Sequence, residues 1–245
     1  MNRWSHPWWW LLDYAYAGKR QVLSFIRRRS PESYRQGDPS LPAIVLLPGV
    51  YETWFFLDSA AQRLNNAGYR VYTVPGLGLN RHPLPESAQI VRQRLSELRQ
   101  QDGVNQCLLL AHSKGGLTGK LAMLDVLLST EPGTEADPCG EARILGLVAI
   151  ATPFAGSVYA KYLFPRTLRH FSPTDAVLLS LQAQQAVNDR IVSIYPEFDP
   201  HIPAGSALAG ATNVRLQVAG HFRTLREPVV LAAVDEAVLF LAPDH

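Results

Sequence analysis

The stretch Gln106-Cys107-Leu108-Leu109-Leu110-Ala111-His112-Ser113-Lys114-Gly115-Gly116 passes from strand to helix within a few residues. Its apolar run, Gln106 to Ala111, has the length and continuity of a strand buried on both faces. The helix beyond it carries Leu117, Leu121, Leu124 and Leu128 on one face. Ser113 falls in the turn between them, with the small residues Ala111 and Gly115 two positions away on either side. Such a turn holds a serine in a strained backbone conformation that presents its hydroxyl. It also brings strand and helix so close that bulky side chains at the two flanking places would clash. A serine that merely caps a helix is the plainer alternative, and the rest of the chain has to decide between them.

Upstream, Ala43-Ile44-Val45-Leu46-Leu47 is a first buried strand stopped by Pro48-Gly49, and Thr53 opens a helix predicted from about Trp54 to Asn66. Arg70 to Val74 reads as a second strand and Glu86 to Gln101 as an amphipathic helix closed by Gly103. Downstream, strands are expected at Ile144 to Ile150, Ile191 to Tyr195 and Val214 to Val218. A last helix starts at Pro228 and carries Val230, Val234, Val238 and Leu241 on one stripe. Strands alternating with helical crossovers predict an α/β fold, a mostly parallel central sheet with helices on both faces. The excursion at about 156–187 reads as a short helical lid.

The chain has 245 residues, 47% of them hydrophobic and 18% charged, which suits one large domain and excludes extended disorder. A formal net charge of +2 argues against a nucleic-acid binder. Two cysteines, Cys107 and Cys139, make neither a disulfide framework nor a zinc module. Gly119-Lys120 fails as a phosphate loop because Lys114 and Leu121 stand where Gly and Ser/Thr belong. Gly76 and Gly78 fail as a dinucleotide fingerprint because Arg81 replaces the third glycine.

A serine hydroxyl becomes a nucleophile only when a histidine takes its proton, and that histidine needs an oriented carboxylate. On this kind of sheet the order along the chain is serine, acid, histidine, near the ends of the later strands. Of the seven histidines, His221 in Ala219-Gly220-His221-Phe222 follows the sixth strand. His201 is its rival, and His112 is expected to point elsewhere. Asp199, in Tyr195-Pro196-Glu197-Phe198-Asp199-Pro200-His201, is the expected acid, with Glu197 as the fallback. An oxyanion would be held by the backbone N–H groups of Lys114 and Val50, the latter in Pro48-Gly49-Val50-Tyr51, where the glycine lets the chain approach substrate. The Lys114 side chain is expected to be solvated.

On Pro48-Gly49-Val50, Ala111 to Gly116, Asp199 and Gly220-His221, the chain from Leu41 to Pro243 resembles the α/β-hydrolase superfamily in its lipase/esterase branch. Ala151-Thr152-Pro153-Phe154-Ala155-Gly156-Ser157 is similar to the Thr-Pro-His-x-Gly-Ser stretch of bacterial lipases, with Phe154 in place of His. Pro48 likewise replaces the His that often precedes the oxyanion glycine. The resemblance implies a serine esterase or lipase with Ser113, Asp199 and His221 as triad, acting on small-molecule or lipid esters without cofactor or metal. An acyltransferase, or a non-catalytic lipid-binding protein on the same fold, are the alternatives. Trp54, Phe55 and Phe56 after the oxyanion loop, with Phe154, Tyr159, Tyr162, Leu163 and Phe164, suggest a lipophilic substrate.

Residues 1–40 form a distinct aromatic and basic segment ahead of a domain spanning 41–245. Trp4, Trp8, Trp9 and Trp10 are four of the five tryptophans, Asp13 interrupts the apolar run, and Arg27, Arg28 and Arg29 follow. The apolar stretch is too short for an export signal, so a cytoplasmic location is expected in preference to secretion. Two readings of residues 1–30 stand side by side: a helix packed on the domain, or an interfacial segment making peripheral membrane contact. On the second, removing residues 1–30 would abolish liposome binding and leave soluble-ester turnover intact.

Overall fold

Apolar runs too short for helices and buried on both sides become parallel strands only when helices cover both faces of the sheet they make. The computed structural model describes residues 6–26, 30–129, 140–157 and 172–243. It opens with helix α1 (His6–Ile26), followed by strand β1 (Ala43–Leu47), helix α2 (Asp58–Asn66) and strand β2 (Val71–Thr73). Next come α3 (Leu84–Asp102), β3 (Gln106–His112), α4 (Lys114–Ser129), β4 (Arg143–Ile150) and α5 (Ala176–Ala183). β5 (Ile191–Phe198), β6 (Thr212–Ala219) and α6 (Pro228–Leu241) complete the order.

The six strands form one sheet, β2-β1-β3-β4-β5-β6, and every neighbouring pair is parallel. Residues alternate between its faces. Val45, Leu47, Leu109, Ala111, Leu147 and Ala149 join the core under α3, α4 and α5. Ile44, Leu46, Leu108, Leu110, Val148 and Ile150 join the core under α2 and α6. The stripe Val230, Val234 and Val238 of α6 is buried as its spacing predicts. This is the doubly covered parallel sheet expected from the sequence.

The differences lie at the ends of elements. The helix expected from Trp54 begins as a 3₁₀ turn, Trp54–Leu57, and Thr53 makes no side-chain cap. β5 runs three residues further than Tyr195, and its pairing with β6 shifts register between Pro196 and Phe198. An irregularity there bends the strand end and turns Asp199 off the ladder. Residues 30–42 are fastened to the body: the Tyr34 hydroxyl donates to Asp58 Oδ1 (2.8 Å), and Asn65 Nδ2, which also donates to the Tyr69 carbonyl, donates to those of Tyr34 and Gln36. Of the expected lid, residues 158–171 lie outside the described residues, and with them Tyr159, Tyr162, Leu163 and Phe164; Ala176–Ala183 is helical.

The contact that fixes the site is where α4 starts. A Cβ added at Gly115 would overlap the Leu47 carbonyl oxygen at the end of β1. Backbone cannot step aside as a flexible side chain can. Gly115→Ala is therefore expected to destabilise the protein by about 3 kcal/mol or more, read as a lowered urea midpoint; an unchanged midpoint would show that the elbow is looser than its geometry.

Candidate active site

The C-terminal ends of the strands collect at one rim, and the backbone there is strained. Among the described residues four non-glycine ones have positive φ: Tyr51 (63°), Asn80 (49°), Ser113 (51°) and Ala151 (47°). They follow β1, β2, β3 and β4 respectively. Strain of this kind persists only where surrounding bonds over-determine it. Ser113 N–H donates to the Ile150 carbonyl (2.9 Å), and Ala151 N–H to that of Ile194 (2.9 Å). Thr152 closes over the elbow from β4, leaving no room for a Cβ at Gly116.

Ser113, His221 and Asp199 come together in a hydrogen-bonded chain. Ser113 Oγ lies 3.0 Å from His221 Nε2, and His221 Nδ1 lies 2.7 Å from Asp199 Oδ2. All three are buried. The other oxygen of Asp199 accepts the backbone N–H groups of His201 (2.7 Å) and Ile202 (3.0 Å), which fixes the carboxylate plane. Glu197, the fallback acid, is exposed and faces Arg215 at 3.5 Å. His201 does not reach Ser113; its ring packs 4.9 Å from that of His221.

Burial by itself would push the His221 imidazole down, but the Asp199 charge and hydrogen bond outweigh it. With smaller help from Asp13 and Glu52, they hold His221 above its ordinary value. Burial likewise works to raise Asp199, and His221 with His201 brings it below the usual carboxylate range. Burial, together with the His221 charge, pushes His201 down to about 3, so that ring is neutral near pH 7.

The oxyanion expectation rests on Val50 and Lys114. No protein acceptor among the described residues takes either backbone N–H. The role given to Gly49 needs correction. The space a Cβ would fill there is held by the Glu52 carboxylate, whose Oε2 accepts Gly49 N–H at 2.8 Å. Glu52 also meets His112 Nδ1 at 2.8 Å, and His112 Nε2 donates to the His221 carbonyl at 3.2 Å. His112 does point away from the serine hydroxyl, as expected, but into a bridge linking the loop after β1, the Ser113 turn and the His221 loop.

A second correction concerns Lys114. Its side chain is 2% exposed rather than solvated, and Nζ donates to Asn80 O (2.7 Å), Asn80 Oδ1 (2.9 Å) and His82 O (2.5 Å). Asn80 Nδ2 in turn donates to the Pro48 carbonyl (2.7 Å), so this network braces the loop after β1 from the other side. Burial pushes the Lys114 ammonium down to about 8. A residue given no site role by sequence reasoning is Asp13, whose buried carboxylate reaches the His221 loop from α1. Its signal was its isolation, as the one acidic residue before Glu32.

Phe55 and Phe56 are core residues rather than pocket lining. Phe56 packs 6.0 Å from Phe222, and Phe55 lies under the Arg20 guanidinium at 4.3 Å. A cleft of about 610 Å³ between Trp10 and the end of β5 includes Asp199 in its wall but not Ser113. Cys107 is buried in β3, and burial raises its thiol to about 12. Among the described residues no group of three or more His, Cys, Asp or Glu side chains is arranged to hold a metal ion.

No protein-family model matches the sequence. Over 102 residues the chain is 36% identical to the sn-1-specific diacylglycerol lipase ABHD11 of Mus musculus; the match takes in 40% of this chain and only 33% of that protein's length. Bacillus licheniformis lipase BlEst2 in its mature form superimposes with a TM-score of 0.61 at 15% identity, covering 82% of this chain and 94% of that one. Aspergillus fumigatus lipase B gives 0.61 at 18% identity, over 84% of this chain and 55% of that one. A carboxylesterase structure from Nitrososphaera gargenis gives 0.55 at 14%, over 85% and 94%. The chain has the α/β-hydrolase fold. Among the described residues before β1, 6–26 and 30–42, the chain carries α1 and a 3₁₀ turn at Pro31–Tyr34 and no strand.

A raised His221 value means that the pair with Asp199 favours the protonated ring. That stabilisation is complete below the unfolded value of about 6.5 and is lost as pH rises through the higher folded value. The His221 ring signals are expected to titrate above 6.5 in an NMR pH series, and below it in Asp199→Asn, where burial acts unopposed by that carboxylate. Equal midpoints in the two proteins would show that Asp199 does not set the charge of His221.

Proposed function

We propose that this chain is a serine hydrolase that cleaves carboxylic esters of lipophilic character through an acyl-enzyme on Ser113. The observation that carries the reading is the unbroken relay from Ser113 Oγ through His221 to Asp199. As Oγ attacks the carbonyl carbon, its proton passes to His221 Nε2, and Asp199 accepts from Nδ1–H and stabilises the imidazolium. The oxygen of the tetrahedral intermediate accepts from the N–H groups of Val50 and Lys114. Collapse expels the alcohol, which takes the proton from Nε2 and leaves an ester on Ser113. Water then attacks with the same proton transfers, releasing the acid and restoring the serine. Every group in the cycle is a protein side chain or amide, so the chemistry calls for no cofactor. The lipophilic class rests on the likeness to lipases, of which the mouse relative acts on diacylglycerol.

The same proposal gives α1 a lipid-facing side. Trp8, Leu11, Val22, Phe25 and Ile26 are exposed, between 56 and 69%, and recur at helical spacing along the outer face, with Lys19 the one charge among them. Arg27-Arg28-Arg29 follow in sequence, outside the described residues. Amphipathic aromatics beside cations suit an anionic membrane surface such as the cytoplasmic leaflet, approached peripherally. No helix of the described residues is long and apolar enough to cross a membrane. Because the inner face of α1 reaches the His221 loop, removing residues 1–30 would take away Asp13 together with the outer face, so substitutions on that face are the sharper test of lipid contact.

A fluorophosphonate probe is expected to label the wild type and not Ser113→Ala. Labelling that persists in the variant would reject Ser113 as nucleophile, and a folded wild type that never labels would favour a lipid-binding protein. Esters supplied with alcohol acceptors would expose an acyltransferase by transfer exceeding hydrolysis. For the outer face, Leu11→Ser with Phe25→Ser is expected to weaken co-flotation with phosphatidylglycerol vesicles about tenfold or more, with turnover of a soluble ester unchanged. Equal flotation, or dimerisation of the wild type that the substitutions abolish, would take this face away from lipid.

A further inference from the structure

Asp13 is buried completely, on a helix whose opposite side is open to solvent. A carboxylate taken out of water is costly unless donors surround it, and here the donors are three successive backbone amides. Asp13 Oδ2 accepts from His221 N–H (3.0 Å), and Oδ1 accepts from Phe222 N–H (2.9 Å) and Arg223 N–H (2.9 Å). Successive N–H groups converging on one anion form a nest. Gly220, immediately before them, has φ +115°, and a Cβ there would stand 2.8 Å from Asp13 Oδ1. The glycine is needed both for that backbone turn and for the approach of the carboxylate.

The helix is fastened at several other points, so the carboxylate has little freedom. The Arg20 guanidinium donates to the carbonyl of Phe55. Arg223 lies over the Trp9 ring at 5.3 Å and Arg226 over Tyr16 at 5.4 Å. Trp10 and Tyr14 pack on His201 at 5.3 and 5.2 Å, and His201 packs on His221.

We propose that Asp13 is a positioning residue for His221, so that the N-terminal helix is a working part of the active centre rather than a cover attached to it. The inference rests on the reading of Ser113 and His221 given above. Asp13 does not touch the reacting atoms. It holds the backbone from which the imidazole projects, and with it the line from Nε2 to Ser113 Oγ. An anchor that served only to attach the helix would affect stability without altering the chemistry of the base.

The test separates those roles. Charged and titratable groups face His221 from each element around it: Asp199 and His201 after β5 and His112 from β3 beside the ring, and Glu52 after β1 and Asp13 from α1 acting on it through their charge. Among these the negative charge of Asp13 helps to hold the imidazole up. Asp13→Asn keeps the shape of the side chain while removing that charge and one acceptor. With a soluble p-nitrophenyl ester, kcat is expected to fall about 10- to 100-fold, with KM nearly unchanged. The acid limb of kcat/KM is expected to move to lower pH, because a base relieved of a nearby negative charge stays neutral in more acidic solution. Asp13→Ala is expected to lose kcat as well and to regain part of it in added formate.

A folded Asp13→Asn with wild-type kcat and an unmoved acid limb would overturn the proposal. So would failure of both variants to fold, with and without formate, which would make Asp13 a stability element only. Failure of the underlying reading looks different, since the wild type itself would then neither turn over ester nor label with fluorophosphonate.

Discussion

On the proposed mechanism His221 accepts and returns a proton while buried, which poses an electrostatic problem because its charged form has been removed from water. His221 meets it with negative charge fixed in advance. Asp199 takes the Nδ1 side, Asp13 sits against the backbone, and Glu52 stands one ring further away behind His112. Each of these carboxylates is itself satisfied by backbone or ring N–H groups, so none has to turn when the ring charges. Fixed dipoles and charges of that kind are what stabilise a transition state in a dry site.

The same rim explains why strain is tolerated. Tyr51, Asn80, Ser113 and Ala151 all adopt left-handed backbone, and each is bonded to a neighbouring segment: Tyr51 N–H to the Leu79 carbonyl, the Asn80 side chain to that of Pro48, Ser113 N–H to that of Ile150 and Ala151 N–H to that of Ile194. Glu52 ties the loop after β1 to the elbow through His112, while Lys114 ties the elbow to the loop after β2 through Asn80, which returns to Pro48. The elbow therefore does not stand on its own turn geometry. It is braced from both sides by buried polar groups whose alternatives would leave acceptors unpaired.

Helix α1 is unlike the rest of the molecule in having two claims on it. Its inner side supplies a carboxylate to the His221 loop and aromatic rings to His201 and Arg223, and its outer side presents a row of large apolar residues. A helix that is apolar outward and tethered inward by a charge cannot be oriented by hydrophobic burial alone. The position of Asp13 selects which side faces the body.

Much of this was legible in the chain itself. The alternation of short apolar runs with helical stripes determined the parallel sheet, since burial on both faces leaves few other arrangements. The small residues around Ser113 and the placing of Asp199 and Gly220-His221 after later strands marked the relay, because that chemistry demands an order. Composition carried no trace of what lies across the fold. That Lys114 is buried, that Gly49 makes room for Glu52, and that Asp13 captures amides 208 to 210 residues away were decided only by tertiary structure. Sequence patterns report local periodicity, whereas a hydrogen bond between distant loops depends on distances that exist only once the sheet has brought their ends together.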